Sequence, residues 1–128
     1  MTRPADHSTT WITVCITCKR DDWQAGTAET SGERLASEIE AHATDGRVAV
    51  RRHACLMGCS GACNVAVQAQ GKMAYTLGGF APGPEAAAGI VEWAALHAES
   101  ESGVVAYRSW PPAVKGHFVS RHPPLPEA

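Results

Sequence analysis

Residues 53–75 read HACLMGCSGACNVAVQAQGKMAY, and the rest of the chain is built outward from them. Three of the five cysteines stand here, Cys55, Cys59 and Cys63, spaced C-x3-C-x3-C with Gly58 and Gly61 between them. An apolar run, residues 64–69, comes directly after, then Gly71, then a second short run, residues 73–77. Two such runs broken at a glycine predict a β-hairpin. The other two cysteines, Cys15 and Cys18, form a C-x2-C at the end of another strand-like run. Two thiol clusters on loops at strand ends predict one shared site, closed by the fold.

Upstream, residues 11–16 (WITVCI) are rich in β-branched and aromatic side chains and predict a first strand. A loop from 17 to about 30 carries Cys18, Lys19, Arg20, Trp23 and Gly26. Thr30-Ser31-Gly32-Glu33 has the S/T-x-x-E form of a capping box. Leu35, Ala36, Ile39 and Ala43 then recur at helical spacing, which predicts a helix over 31–43, ended by Asp45-Gly46. Residues 48–52 (VAVRR) predict a second strand leading into the cysteine-rich loop. Downstream, Pro84 suits a first helical turn, and Ala87, Ile90, Val91, Ala94 and Ala98 predict a second helix over 84–98. Residues 104–110 predict a short strand. The last twenty residues hold five of the eight prolines and predict an extended tail without a regular helix.

The predicted order is therefore β-α-β-β-β-α, an α/β chain. A strand, helix and strand in succession make the first two strands parallel; the hairpin adds two antiparallel strands, with residues 64–77 antiparallel to 11–16. This is the order of the thioredoxin core, a four-stranded mixed sheet with helices packed on it. The organisation read from the sequence is a loose leader (1–10), one thioredoxin-like domain (11–108) and an extended Pro-rich tail (109–128).

Bulk properties narrow the function classes. A length of 128 residues favours one domain, and 45% hydrophobic with 19% charged residues predicts a folded globule. A net charge of −2 gives no electrostatic case for nucleic acid or an anionic membrane. No apolar run approaches the ~20 residues of a membrane helix, and the first ten residues lack the apolar core of a signal peptide. These features predict a cytoplasmic protein, where thiols stay reduced and disulfide frameworks are rare. Five cysteines there read as ligands or redox groups.

A reading as a small buried hydrophobe would account for one of the five, since Cys15 lies within an apolar strand. That reading does not explain C-x2-C and C-x3-C-x3-C in glycine-bearing loops, where the backbone bends tightly and N–H groups reach sulfur. Structural zinc commonly uses two compact C-x2-C-like knuckles; here a helix and a strand separate Cys18 from Cys55. A dithiol redox enzyme needs a helix N-terminus beside its reactive thiol, and about a dozen loop residues separate Cys18 from the predicted helix. Cys63 also holds the place of the thioredoxin cis-proline. Iron–sulfur ligation is the preferred reading, with zinc or cobalt binding and thiol–disulfide exchange as alternatives.

The segment CLMGC-x3-C-x-VAV-x-A-x-GKMAY resembles the second half of the thioredoxin-like 2Fe–2S ferredoxins. Over about residues 11–124 the chain more closely resembles a family of small predicted metal-binding bacterial proteins of unknown function. That family has an N-terminal C-x2-C, a CL-x2-C-x3-C loop, a GK-x2-Y hairpin and a tail like residues 107–124. It is met beside cobalamin-biosynthesis functions, which points to a pathway. The resemblance implies that Cys15 is the first ligand of a 2Fe–2S cluster and that Cys55 and Cys59 are the third and fourth. The second ligand lies between Cys18, only three residues after the first, and Cys63, where the ferredoxins have proline. The favoured set is Cys15, Cys18, Cys55 and Cys59.

Other residues carry weaker signals. His53 could replace a thiolate, although Rieske sites need two histidines. Lys19, Arg20, Arg51 and Arg52 are candidates for a basic rim meeting an acidic partner, and Trp23 for a contact residue. Nothing resembles a nucleotide loop, a catalytic triad or a paired-carboxylate site. The expectation is a non-enzymatic electron carrier that exchanges single electrons with a redox protein, either a reductase or an acceptor, with homodimerisation left open.

Overall fold

Alternation in the first apolar run decides the layering. The computed structural model describes residues 9–17, 19–20, 23–24, 26–44, 46–54 and 63–124. Strand β1 (Thr10–Cys15) points Ile12 and Val14 one way and Trp11 and Thr13 the other. It is followed by helix α1 (Ser31–His42), strand β2 (Val48–His53), strands β3 (Val65–Gln68) and β4 (Ala74–Leu77), helix α2 (Pro84–Glu99) and strand β5 (Phe118–His122). The sheet order is β2-β1-β3-β4-β5. β1 and β2 are parallel, and the pairs β1–β3, β3–β4 and β4–β5 are antiparallel.

The parallel pair and the hairpin antiparallel to β1 are as the sequence predicts. The hairpin turns at Gly71, whose φ of 75° is a left-handed conformation that glycine adopts without cost. The sheet differs from the prediction in having five strands, not four. Residues 118–122 lie in the proline-rich tail and still pair with β4, because the prolines at 111–112 and 123–124 fall outside the strand and bound it. Residues 104–110 hold no strand. They fold on themselves in a 3-10 turn (Tyr107–Ser109), and the Trp110 indole N–H donates to the Val105 carbonyl at 2.9 Å.

Both helices pack on each other and over β1 and β2. Between them and the sheet lies a core with Ile12, Val14, Leu35, Ile39, Val65, Val67, Leu77, Ile90 and Trp93 fully buried. Each such side chain stabilises the fold by about 1.5–3 kcal/mol. The Tyr75 and Trp93 rings meet edge to face at 4.7 Å. His97 ties three elements together: its Nδ1 lies 2.9 Å from the Thr10 hydroxyl and its Nε2 2.7 Å from the Met73 carbonyl. No helix among the described residues is long and apolar enough to cross a membrane.

Candidate metal centre

Because β1 and β2 run parallel, both end at the same edge of the sheet; β3, antiparallel, begins there. Cys15, the last residue of β1, stands in register with His53, the last of β2. The Cys15 N–H donates to the Asn64 carbonyl at 3.1 Å, and the Ile16 N–H to the His53 carbonyl at 2.9 Å. These bonds bring residues far apart in sequence side by side: the end of β1, the end of β2 and the Cys63–Asn64 entry to β3. Cys63 is fixed in turn by a reciprocal backbone pair with Phe80, N–H to carbonyl at 3.2 Å one way and 3.4 Å the other. Cys15 and Cys63 are 1% and 0% exposed, so both thiols face the interior of this edge.

Cys18, Cys55 and Cys59 lie outside the described residues. Chain connection alone relates them to the edge. Cys18 comes three residues after Cys15, and residues 55–62 join the end of β2 to Cys63. Among the described residues no three His, Cys, Asp or Glu side chains form a metal-sized group.

The N-terminus of α1 closes the same edge. Its capping box is complete: the Glu33 N–H donates to the Thr30 hydroxyl oxygen at 3.0 Å, and the Thr30 N–H to the Glu33 carboxylate at 2.8 Å. The Thr30 hydroxyl also donates to the Ile16 carbonyl, just past Cys15. Gly32 approaches so closely that a Cβ there would sit 1.9 Å from the Cys15 carbonyl oxygen. These contacts lay the helix start against the end of β1. The positive end of the helix dipole therefore lies beside the backbone carbonyls of Cys15 and Ile16.

The basic residues do not form one rim. Arg52 reaches away to α1, pairing with Glu40 at 2.9 Å and donating to Ser37 at 3.1 Å. The hydrogen bonds that Arg52 donates to Glu40 lower the Glu40 pKa despite partial burial and raise the Arg52 pKa. Arg51 crosses the open sheet face to donate to the Thr13 hydroxyl at 2.7 Å. Arg20 stays at the edge: its N–H donates to Ser31 Oγ at 3.1 Å and its guanidinium to the Gly79 carbonyl at 2.9 Å, pinning the loop to the segment after β4. Lys19 lies over the Trp23 ring at 4.5 Å. Trp23, Glu29 and Arg34 line a neighbouring cavity of about 510 Å³.

Two residues of this edge escape sequence reasoning. Asn64 is a polar side chain only 4% exposed, and Phe80 stacks at 4.2 Å on His117 while holding the Cys63 backbone. The only sequence signal for Phe80 is its place after the Gly78-Gly79 break, which marks a turn and does not say where the chain goes next.

A family model described as protein of unknown function (DUF1636) matches residues 12–124, and the chain belongs to that family. No curated protein and no solved structure matches the chain.

Proposed function

We propose that this chain is a small one-electron carrier holding a 2Fe–2S cluster on Cys15, Cys18, Cys55 and Cys59, within a thioredoxin-like core of β1, α1, β2, β3, β4 and α2. The run β2-β1-β3-β4, with only β1 and β2 parallel, supports the choice of core. One observation carries the function. The hydrogen bond from Cys15 to Asn64, with the Cys15–His53 register, gathers at one sheet edge the places from which both cysteine clusters depart.

The residues present fit such a group. Thiolates are the soft ligands iron–sulfur clusters require, and the Cys15–Asn64 bond sets Cys15 beside the Cys63–Asn64 entry to β3. When bound, the cluster supplies reversible uptake of a single electron. The protein holds Cys15 in a central strand bonded on both sides, excludes water from it, and brings Cys63 close without requiring it as a ligand. On this reading the partner is a redox protein and the compartment is the reducing cytoplasm.

Anaerobic purification with iron and sulfide analysis tests the proposal. The expected protein is brown, with visible bands bleached by dithionite. Cys55→Ser and Cys59→Ser lose the cluster, because a hydroxyl is a poor ligand here. Cys63→Ser keeps it with at most a shifted potential, and Cys18→Ser loses it or shows an altered spectrum as Cys63 substitutes. Retention in Cys18→Ser with loss in Cys63→Ser would exchange the second ligand. Normal iron in both loop variants would sink the site. The register that sets His53 beside Cys15 favours a second reading, a zinc or cobalt site of mixed thiolate and imidazole ligands; a colourless protein releasing one zinc would establish it.

A further inference from the structure

The fifth strand carries the sheet past its helical cover. Both helices lie over β1 and β2, while over β4 and β5 runs the segment 104–110. The mismatch leaves a cavity of about 620 Å³ lined by Tyr75, Tyr107, Trp110, Phe118, Val105 and Arg121, among others. That volume is within the range of small-molecule sites, about 300–1,000 Å³. Trp110 is 7% exposed, whereas Tyr107 and Phe118, whose rings lie 5.1 and 6.3 Å from it, are 59% and 48% exposed. Among the described residues, three of the five large hydrophobic side chains that are exposed, Val104, Tyr107 and Phe118, therefore line this one groove.

Polar atoms within the lining are already engaged. The Tyr75 hydroxyl accepts from the Val105 N–H at 3.4 Å, and the Trp110 indole donates to the Val105 carbonyl. The one charged group in the lining is Arg121, which stands opposite Tyr75 in the β4–β5 register and so shares its face. The charge around it is one-sided. Residues 103–124 contain Arg108, Lys115 and Arg121 and no Asp or Glu, in a chain whose net charge is −2. Lys115 Nζ lies 5.1 Å from the Tyr107 ring centroid, adding a second cation at the rim.

We propose that this groove binds a small planar aromatic carboxylate, its ring among Tyr107, Trp110 and Phe118 and its carboxylate on Arg121. Rings of this kind stack or meet edge to face with bound aromatics, and a guanidinium presents paired donors that match a carboxylate. The site is built from β4, β5 and segment 104–110, and uses none of the cysteines.

Titration of the full chain with 2-naphthoate, followed through the Trp110 indole N–H resonance, tests this. The expected result is a saturable shift at Trp110 and Phe118. Arg121→Gln weakens 2-naphthoate at least tenfold and leaves the neutral 2-naphthalenemethanol unchanged; Phe118→Ser weakens both. Arg121 is exposed, and the dispersed spectrum of its variant verifies the fold. Three outcomes overturn the proposal: no saturable shift, equal 2-naphthoate affinity in Arg121→Gln, or sedimentation showing a stable dimer that buries the groove.

Discussion

His97 is fully buried, and its two ring nitrogens set its protonation. The Met73 carbonyl can only accept, so Nε2 carries the proton and Nδ1 accepts from the Thr10 hydroxyl. Burial lowers the His97 pKa, the Met73 bond offsets part of this, and the nearby Lys72 ammonium adds to the lowering. The folded state therefore binds fewer protons than the unfolded chain, whose imidazole titrates near 6.5. Stability from this residue is present above pH 6.5 and is lost as pH falls below it. Urea midpoints should drop from pH 7.5 to 5.5, and His97→Gln should be less stable but flatter across that window. An unchanged midpoint in the wild type would refute the assignment. At this scale the spacing singled out the cysteines as a group, and Cys15 and the Cys63–Asn64 entry to β3 meet at one end of the sheet. The role of His97 was not legible, because its partners stand 87 and 24 residues away and leave no local pattern.

At the scale of elements, what was legible was local. The capping box of α1 is written within four consecutive residues, and both its reciprocal bonds form. Thr30→Ala should cost about 1 kcal/mol by loss of the cap, read as a shift in the urea midpoint. Gly32 is a sharper test. A methyl there meets a backbone carbonyl, which has no alternative rotamer, so the helix must shift. Gly32→Ala should destabilise by about 1–3 kcal/mol, more than the cap variant, although alanine is the better helix former. If Gly32→Ala raises stability, the close approach to Cys15 is not maintained in solution. Strand β5 was illegible for the opposite reason. Of its five residues only Ser120 is even half-buried, so it shows no apolar–polar alternation, and the surrounding prolines mask it.

For the whole molecule, β-α-β-β-β-α order fixed the parallel pair and the hairpin, because connection length limits how strands are joined. It could not place the start of α1 against Cys15, since loop length does not say where a loop returns. Nor could it add the fifth strand, whose sheet partner among the described residues is β4, some forty residues earlier. Deleting residues 118–128 should remove that ladder, uncover Tyr75 and Trp110, and leave β4 as an open edge. The truncated chain should melt at least about 5 °C lower and associate with rising concentration, by thermal denaturation and sedimentation. A monomer of unchanged melting temperature would show that β5 is not part of the stable sheet.

The central position of β1 has a consequence on the timescale of exchange with solvent. The amide hydrogens of Cys15 and Ile16 are bonded to opposite neighbours, one to β3's entry and the other to the end of β2. The Cys15 amide reaches deuterated water only when β1 parts from the inner strand β3, whereas the Ile16 amide is released when β2, a marginal strand, frays. The protection of the Cys15 amide should therefore approach that of global opening, whereas the Ile16 amide and those of β5, both on the sheet's margins, exchange sooner. The β1–β3 junction at Cys15 is then among the last parts of the molecule to open.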